Sequence, residues 1–437
     1  MTPAAPHDAL TMLEAEVVAR IDVDAILDDL AAMVGLRPVG GAPGEVAVQQ
    51  WAAARLGALG LDVDTWEVDL AGEAADPGFP GMEVARERML GVVGTWGGAD
   101  SRADSGADFP GLVLCGHTDV VPPGDLARWE RDPFELVVDG GVARGRGVCD
   151  MLGGVAAILG AVAALAAVGP RMERPLAVHL VSGEEDGGVG AFATLRRGHG
   201  GQACLIAEPT SGAVIPANAG SLTFRLEVEG RAAHGSDRTS GESALDHLPV
   251  VQQALRSLET ARNASPPELF AHLDLVAPIS VGTARAGDWA STVPDLLVLE
   301  GRHGVLPGES LVTARGALEE ALARLGDRDP WLRDHPVRVT WPGGVFAPGE
   351  LPHGHPLLEQ IVAAAADVGL GRPTVNGAPY GSDLRHYAAQ GVPTLQFGPG
   401  TLAAAHAANE WVPVDEVVQC ARAYAVLALR RCADLRT

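Results

Sequence analysis

Residues 111–121 read Gly-Leu-Val-Leu-Cys-Gly-His-Thr-Asp-Val-Val. An apolar run rises from a turn and stops on His117, and Asp119 follows two residues later. A short apolar run that does not alternate and is bounded by turn residues is the pattern of a strand buried on both faces. Two further stretches share this plan. "LAVHLVSGEED" (176–186) ends in three acids, and "ACLIAEPT" (203–210) ends just after Glu208. Helical patterns separate these runs, which predicts an α/β fold with a mostly parallel sheet flanked by helices.

Working outward, a first helix is expected over Asp24–Met33 with Asp24 as its cap, and a second over residues 44–60. "LDVDTWEVDL" (61–70) alternates like a strand, and residues 97–110 form a Gly/Asp/Ser-rich loop. Residues 151–169 are apolar but rich in Ala and Gly, so they read as a buried helix rather than a membrane span. The pattern changes at Ser221. In "SLTFRLEVEG", Leu222, Phe224, Leu226 and Val228 alternate with polar residues, as in an antiparallel sheet with one wet face. A helix over Ser243–Arg262 follows, then strands at Leu296–Gly301 and Val337–Trp341 with the helix 310–326 between them. After Val345 the buried pattern returns, with a helix at 355–370, the strand "VPTLQFG" and a last helix from Val414. The expected organisation is a catalytic domain over 1–217 and 345–437, interrupted by a small α+β domain over 218–344.

Composition narrows the function. The formal net charge is −24, which disfavours nucleic-acid binding. All 32 basic residues are Arg. Without Lys there is neither a pyridoxal-phosphate Schiff base nor a Walker A loop. The five cysteines are scattered and sit mostly in apolar runs, as reduced core residues do in a cytoplasm. The first residues lack a basic and apolar leader pattern, so no signal peptide is expected.

The chemistry gathers at the strand ends, where open α/β sheets bind ligands. His117 and Asp119 point to the same side of an extended chain, so Asp119 is expected to accept the other ring N–H of His117. Asp150, in "GRGVCDMLGG", precedes the long Ala-rich helix. Glu184 and Glu185 are adjacent and project differently; His406 follows the loop "FGPG". Each has a bland alternative: a satisfied strand-end His, a helix N-cap, a solvated acidic turn. Together, two His and several carboxylates suit a pair of divalent ions about 3.5–4 Å apart. "GRG" is no dinucleotide fingerprint, since Asp150 replaces its third glycine. "YGSDLRH", around Ser382, lacks the strand–elbow–helix context of a serine hydrolase.

As a set these motifs, from about Gly111 to Trp411, resemble the M20 family of metallopeptidases and deacylases. The resemblance implies a zinc-peptidase-like catalytic domain and a lid domain through which many relatives dimerise. It implies that His117, Asp150 and Glu208 hold one ion, and that Asp150, Glu185 and His406 hold the other. Asp119 would orient His117, Glu184 would be the general base, and His234 of the lid would contact the reacting carbonyl, in trans if the homodimer forms. The Asp150–Met151 bond is expected to be cis. Zinc comes first as the metal, and cobalt and manganese accept the same ligands. The implied activity is deacylation of an N-acyl amino acid, with a dipeptide or a C-terminal residue as runner-up substrate. A non-catalytic relative is the rival from another class, and Glu184 argues against it. Two positions depart from the family pattern. Ser291 stands where many relatives have Asn, and Gly304 where they have Arg; Arg302, on the same strand face, is the substitute.

Overall fold

The structure, a computed structural model, describes residues 10–97 and 109–433. The loop expected at 97–110 therefore lies almost wholly outside the described residues. Two units emerge. The first takes in the described residues up to Pro216, Glu350–Asn376 and those from Asp383 on; the second is Ala217–Gly349 with Gly377–Ser382.

In the first unit the strands lie in the order Asp62–Glu67, Leu90–Trp96, Leu176–Val181, Leu112–His117, Cys204–Ile206, Thr394–Gln396, Val214–Asn218. The three pairings at the centre are parallel. Those on both flanks are antiparallel. The sheet is thus mixed, and parallel only in the middle. Leu90–Trp96, antiparallel to both neighbours, is nearly as buried as the central strands, and an all-apolar run does not reveal its direction.

The Ala-rich stretch forms the helix Leu152–Val168, apolar all round and buried on almost every face. It ends at Gly169, whose φ of 68° suits a glycine C-cap. It packs against the helices Val23–Gly35 and Val414–Cys432. Fully buried side chains such as Val155, Ile158 and Leu159 each contribute about 1.5–3 kcal/mol of hydrophobic stabilisation. Gly154 lets the start of this helix meet the neighbouring strand end, because a Cβ there would run into the carbonyl of Ala207. The helix Val23–Gly35 is capped by Asp22 rather than by Asp24; the Asp22 carboxylate accepts from the N–H groups of Asp24 and Ala25 at 3.0 and 3.2 Å. Among the described residues no helix is long and apolar enough to cross a membrane.

The second unit is an antiparallel sheet in the order Ile279–Ala286, Leu296–Val305, Gly220–Glu229, Arg338–Thr340, with Val345–Phe346 also paired to Gly220–Glu229. Gly220–Glu229 alternates between buried and half-buried residues as its sequence predicts. Phe224, Leu226 and Val228 join Leu297, Leu299, Val251, Leu255 and Leu318 in a core beneath the helices Leu248–Arg262 and Leu311–Ala323. The opposite face carries ion pairs, among them Arg225–Glu300 at 2.9 Å. Two features differ from expectation. The helix expected from Ser243 begins as a 3₁₀ turn, Ala244–His247, and becomes α-helical only at Leu248. Residues 377–382 belong with this unit because Arg302 Nη2 donates to the Pro379 carbonyl (2.8 Å) and Asn218 Nδ2 to that of Tyr380 (3.1 Å).

Candidate active site

The strand Leu112–His117 delivers His117 to the edge of the core, where it is 2% exposed. Its Nε2 lies 3.1 Å from Asp150 Oδ1 and 3.9 Å from Glu208 Oε2. Asp150 precedes the helix Leu152–Val168 without capping it, so its carboxylate is free for other partners, and its bond to Met151 is cis. His406, with a φ of 60°, sets Nε2 3.4 Å from Asp150 Oδ2 and 3.0 Å from Glu185 Oε2. Asp150 thus stands between two histidines, with Glu208 on one side and Glu185 on the other. The donor atoms of His117, Asp150 and Glu185 lie within 4.8 Å of one another, and so do those of His117, Glu184 and Glu208. Imidazole nitrogens and carboxylate oxygens, close together and mostly buried, fit divalent cations by their chemistry.

Asp119 meets His117 through its backbone carbonyl rather than through the carboxylate that the sequence suggests. The ring Nδ1–H donates to the backbone carbonyl of Asp119 at 2.9 Å, while the Asp119 carboxylate is 3.7 Å away. That carboxylate instead accepts from the N–H groups of Glu184 and Glu185, each at 3.3 Å. The His117 strand and the strand Leu176–Val181 that leads into the Glu184–Glu185 turn are adjacent in the sheet, so one buried Asp reaches both. The residue still serves the site, but through the turn.

Buried carboxylates crowd around the two histidines and set the charge of the site. Burial, then the charges of Asp383 and Glu208, push the Glu184 carboxyl well above its ordinary range. Burial does the same to Glu208, and burial and Asp150 raise Glu185. Asp150 is held low although burial opposes it, because His117 and His406 both hydrogen-bond to it. Those to Asp150 and Glu185 lift His406 to about 11. Among the described residues the carboxylates of Glu184 and Glu208 make no hydrogen bond, whereas that of Glu185 is bonded to His406.

His234 lies in the second unit. The strand Gly220–Glu229 stops before it, so His234 sits in a loop, bridged to Thr292 and leading into the 3₁₀ segment Gly235–Ser240. It is exposed, and its Nδ1 is 2.7 Å from Ser236 Oγ. Gly304 has no room for a side chain, since a Cβ would come within 2.5 Å of Ala277 Cα. Arg302 is half-buried, desolvation lowers its pKa, and no acidic side chain among the described residues pairs with it.

Two residues escaped the sequence reading. Glu410, 1% exposed, accepts from the N–H groups of Gly147, Cys149 and Asp150 at 2.9–3.0 Å and pairs with Arg146 at 2.6 Å, so it holds the loop that carries Asp150. It stands in "AHAANEW", four residues past His406, as a lone acid before an apolar run. Asp383 is buried and pushed up to about 6 by that burial despite Arg385 beside it. Its stretch, "YGSDLRH", carries no apolar run that would mark a buried acid.

The model of peptidase family M20/M25/M40 matches residues 113–430. The chain belongs to this family. It is a hydrolase of amide or peptide bonds. Its relatives include the N-formyl-4-amino-5-aminomethyl-2-methylpyrimidine deformylase of Bacillus subtilis, 27% identical over 85% of this chain and 86% of that one. Another is the acetylornithine deacetylase of Erwinia tasmaniensis, 30% identical over 74% and 80%. Human carnosine dipeptidase 1 shares the fold at a TM-score of 0.76 and 15% identity, over 97% of this chain and 99% of that one.

Proposed function

We propose that this M20 enzyme removes the acyl group from an N-acyl amino acid, using two divalent metal ions. His117, Asp150 and Glu208 would hold one ion, and Asp150, Glu185 and His406 the other. Zinc is the first choice, with cobalt or manganese suited to the same donors. Bound ions would supply a water of lowered pKa and polarise the amide carbonyl. Glu184 takes the proton of that water as its oxygen bonds to the amide carbon, and returns it to the nitrogen as the C–N bond breaks. His234 donates to the carbonyl oxygen as charge develops there. Arg302, half-buried and without an acidic partner among the described residues, takes the substrate carboxylate.

The observation that carries this reading is Asp150 set between His117 and His406, with Glu184 buried beside them and, among the described residues, no hydrogen-bond partner on its carboxylate. Two relatives whose names end in deformylase and deacetylase support an acyl group as the part removed from the amine. A homodimer through the second unit, with His234 acting in trans, completes the proposal. The strand Ile279–Ala286 supports it, being an edge strand exposed over residues 282–285 and open to pairing with its twin. We place the protein in the cytoplasm, where its five buried, unpaired cysteines stay reduced. A hydrolysis screen of N-acyl amino acids and dipeptides with added Zn²⁺ or Co²⁺ tests the proposal. Turnover of N-acyl amino acids above dipeptides is expected; the reverse order makes the enzyme a peptidase, and no turnover of either defeats the reading.

A further inference from the structure

The turn Glu184–Glu185–Asp186–Gly187–Gly188 carries the base and one ligand of the proposed reaction, yet it is neither helix nor strand. Within it the Gly187 N–H donates to the Glu184 carbonyl (3.2 Å) and the Gly188 N–H to that of Gly183 (2.6 Å), and side chains from elsewhere grip the rest. The Asp119 carboxylate holds the first two N–H groups. The far half is gripped differently. Asp186 receives Arg86 bidentately, Nη2 to Oδ1 at 2.7 Å and Nη1 to Oδ2 at 2.8 Å. Asp186 Oδ2 also accepts from the N–H groups of Glu83 (3.1 Å) and Val84 (2.8 Å). Arg86 turns its remaining donors to Glu45, with Nε at 2.9 Å from Oε2 and Nη2 at 2.9 Å from Oε1, while Nη1 also reaches the Val84 carbonyl at 3.2 Å. Glu45 in turn accepts from the N–H of Gly41 at 2.8 Å. The side chains of Arg86, Glu45 and Asp186 are 1%, 3% and 7% exposed. Arg385 closes the turn, donating from Nη2 to the Gly187 carbonyl at 2.6 Å.

Burying one guanidinium between two carboxylates is a poor route to stability, because desolvation offsets most of the attraction and apolar residues of equal volume do as well. What such a group does better is fix direction. Its planar fork leaves Asp186 one orientation, and Asp186 is the residue next to Glu185. We propose that Arg86, anchored by Glu45 and acting through Asp186, is a positioning residue that sets where Glu184 and Glu185 point. Its donors are taken up by Asp186, Glu45 and the Val84 carbonyl, so it acts only through them. This rests on the proposed role of the two glutamates in hydrolysis.

Asp186→Asn keeps the volume and removes the charge; Arg86→Lys keeps the charge and removes the fork. Each is measured for kcat and KM on the N-acyl amino acid that the wild type turns over, and for amide hydrogen exchange along the whole chain. Loss of a partner that orients a ligand typically costs about 10–100-fold, so kcat should fall by that much while KM stays within about twofold. Exchange should quicken at 184–188 and little elsewhere. Unchanged kcat with unchanged exchange at the turn overturns the proposal, and so does a lowered melting temperature with kcat intact. Failure of both variants to fold overturns it too, because the network would then serve the fold as a whole. If the wild type cleaves none of the substrates, the proposed reaction fails, but exchange at 184–188 still decides whether Arg86 fixes the turn.

Discussion

A single side chain can do different work from what its spacing suggests, and Asp119 is the example here. Two residues past His117, its carboxylate should meet the imidazole; instead its carbonyl does, and the carboxylate holds the backbone of Glu184 and Glu185. Asp119→Ala would leave those two N–H groups without their acceptor. Cation affinity or kcat should fall about 10–100-fold, measurable by equilibrium dialysis and steady-state kinetics, and no change in either would make Asp119 a packing residue. A second residue bears on stability. His303 lies fully buried in the second unit, its Nε2 donating to the Ala314 carbonyl at 2.9 Å. Burial, then the nearby charge of Arg262, lowers its pKa from 6.5 to about 4. Between these values the unfolded chain binds a proton that the folded one does not. The contribution of His303 is therefore complete above pH 6.5 and declines as pH falls toward about 4, by on the order of 3 kcal/mol. Denaturant titrations at several pH values should show a shallower acid decline in His303→Gln; an identical decline would place the proton uptake elsewhere.

Elements differ in how plainly their residues announce them. The buried strands 112–117 and 176–181 and the alternation at 222–228 follow directly from hydrophobic period. Ile279–Ala286 does not, because it is an edge strand of mostly small, exposed residues whose apolar contacts with the core, Ile279, Val281 and Ala286, are too few to set a clear alternation. The donor residues stand out for a related reason: each interrupts or ends an apolar run. Arg86 gives no such signal. It lies in a loop and earns its meaning from Asp186, a hundred positions on. Glu410 is legible only through the loop it holds, 260–263 positions away. Glu410→Ala should strand the buried Arg146 guanidinium, at a cost of about 3–5 kcal/mol, and loosen the segment that ends on Asp150. Calorimetry should show the lower melting temperature and dialysis a weaker hold on cations. Intact cation affinity in a destabilised protein would confine Glu410 to the fold.

At the scale of the molecule, the fold supplies two units and the proposed chemistry draws on both. If His234 acts in trans, inactive Glu184→Ala protein mixed with inactive His234→Ala protein should regain activity once subunits exchange, since the heterodimer holds one intact site. Confirmed exchange without activity would return His234 to its own chain or to no part in the chemistry. The account as a whole turns on the division of labour between two neighbouring glutamates, one base and one ligand. Cation titration of metal-stripped wild type and Glu184→Gln, with turnover followed in parallel, tests it most directly. Both proteins should bind two equivalents, and only the wild type should gain activity, the variant losing about 10²–10⁴-fold or more. A variant that keeps its activity, or that loses an ion along with it, would contradict the assignment of Glu184 as the base.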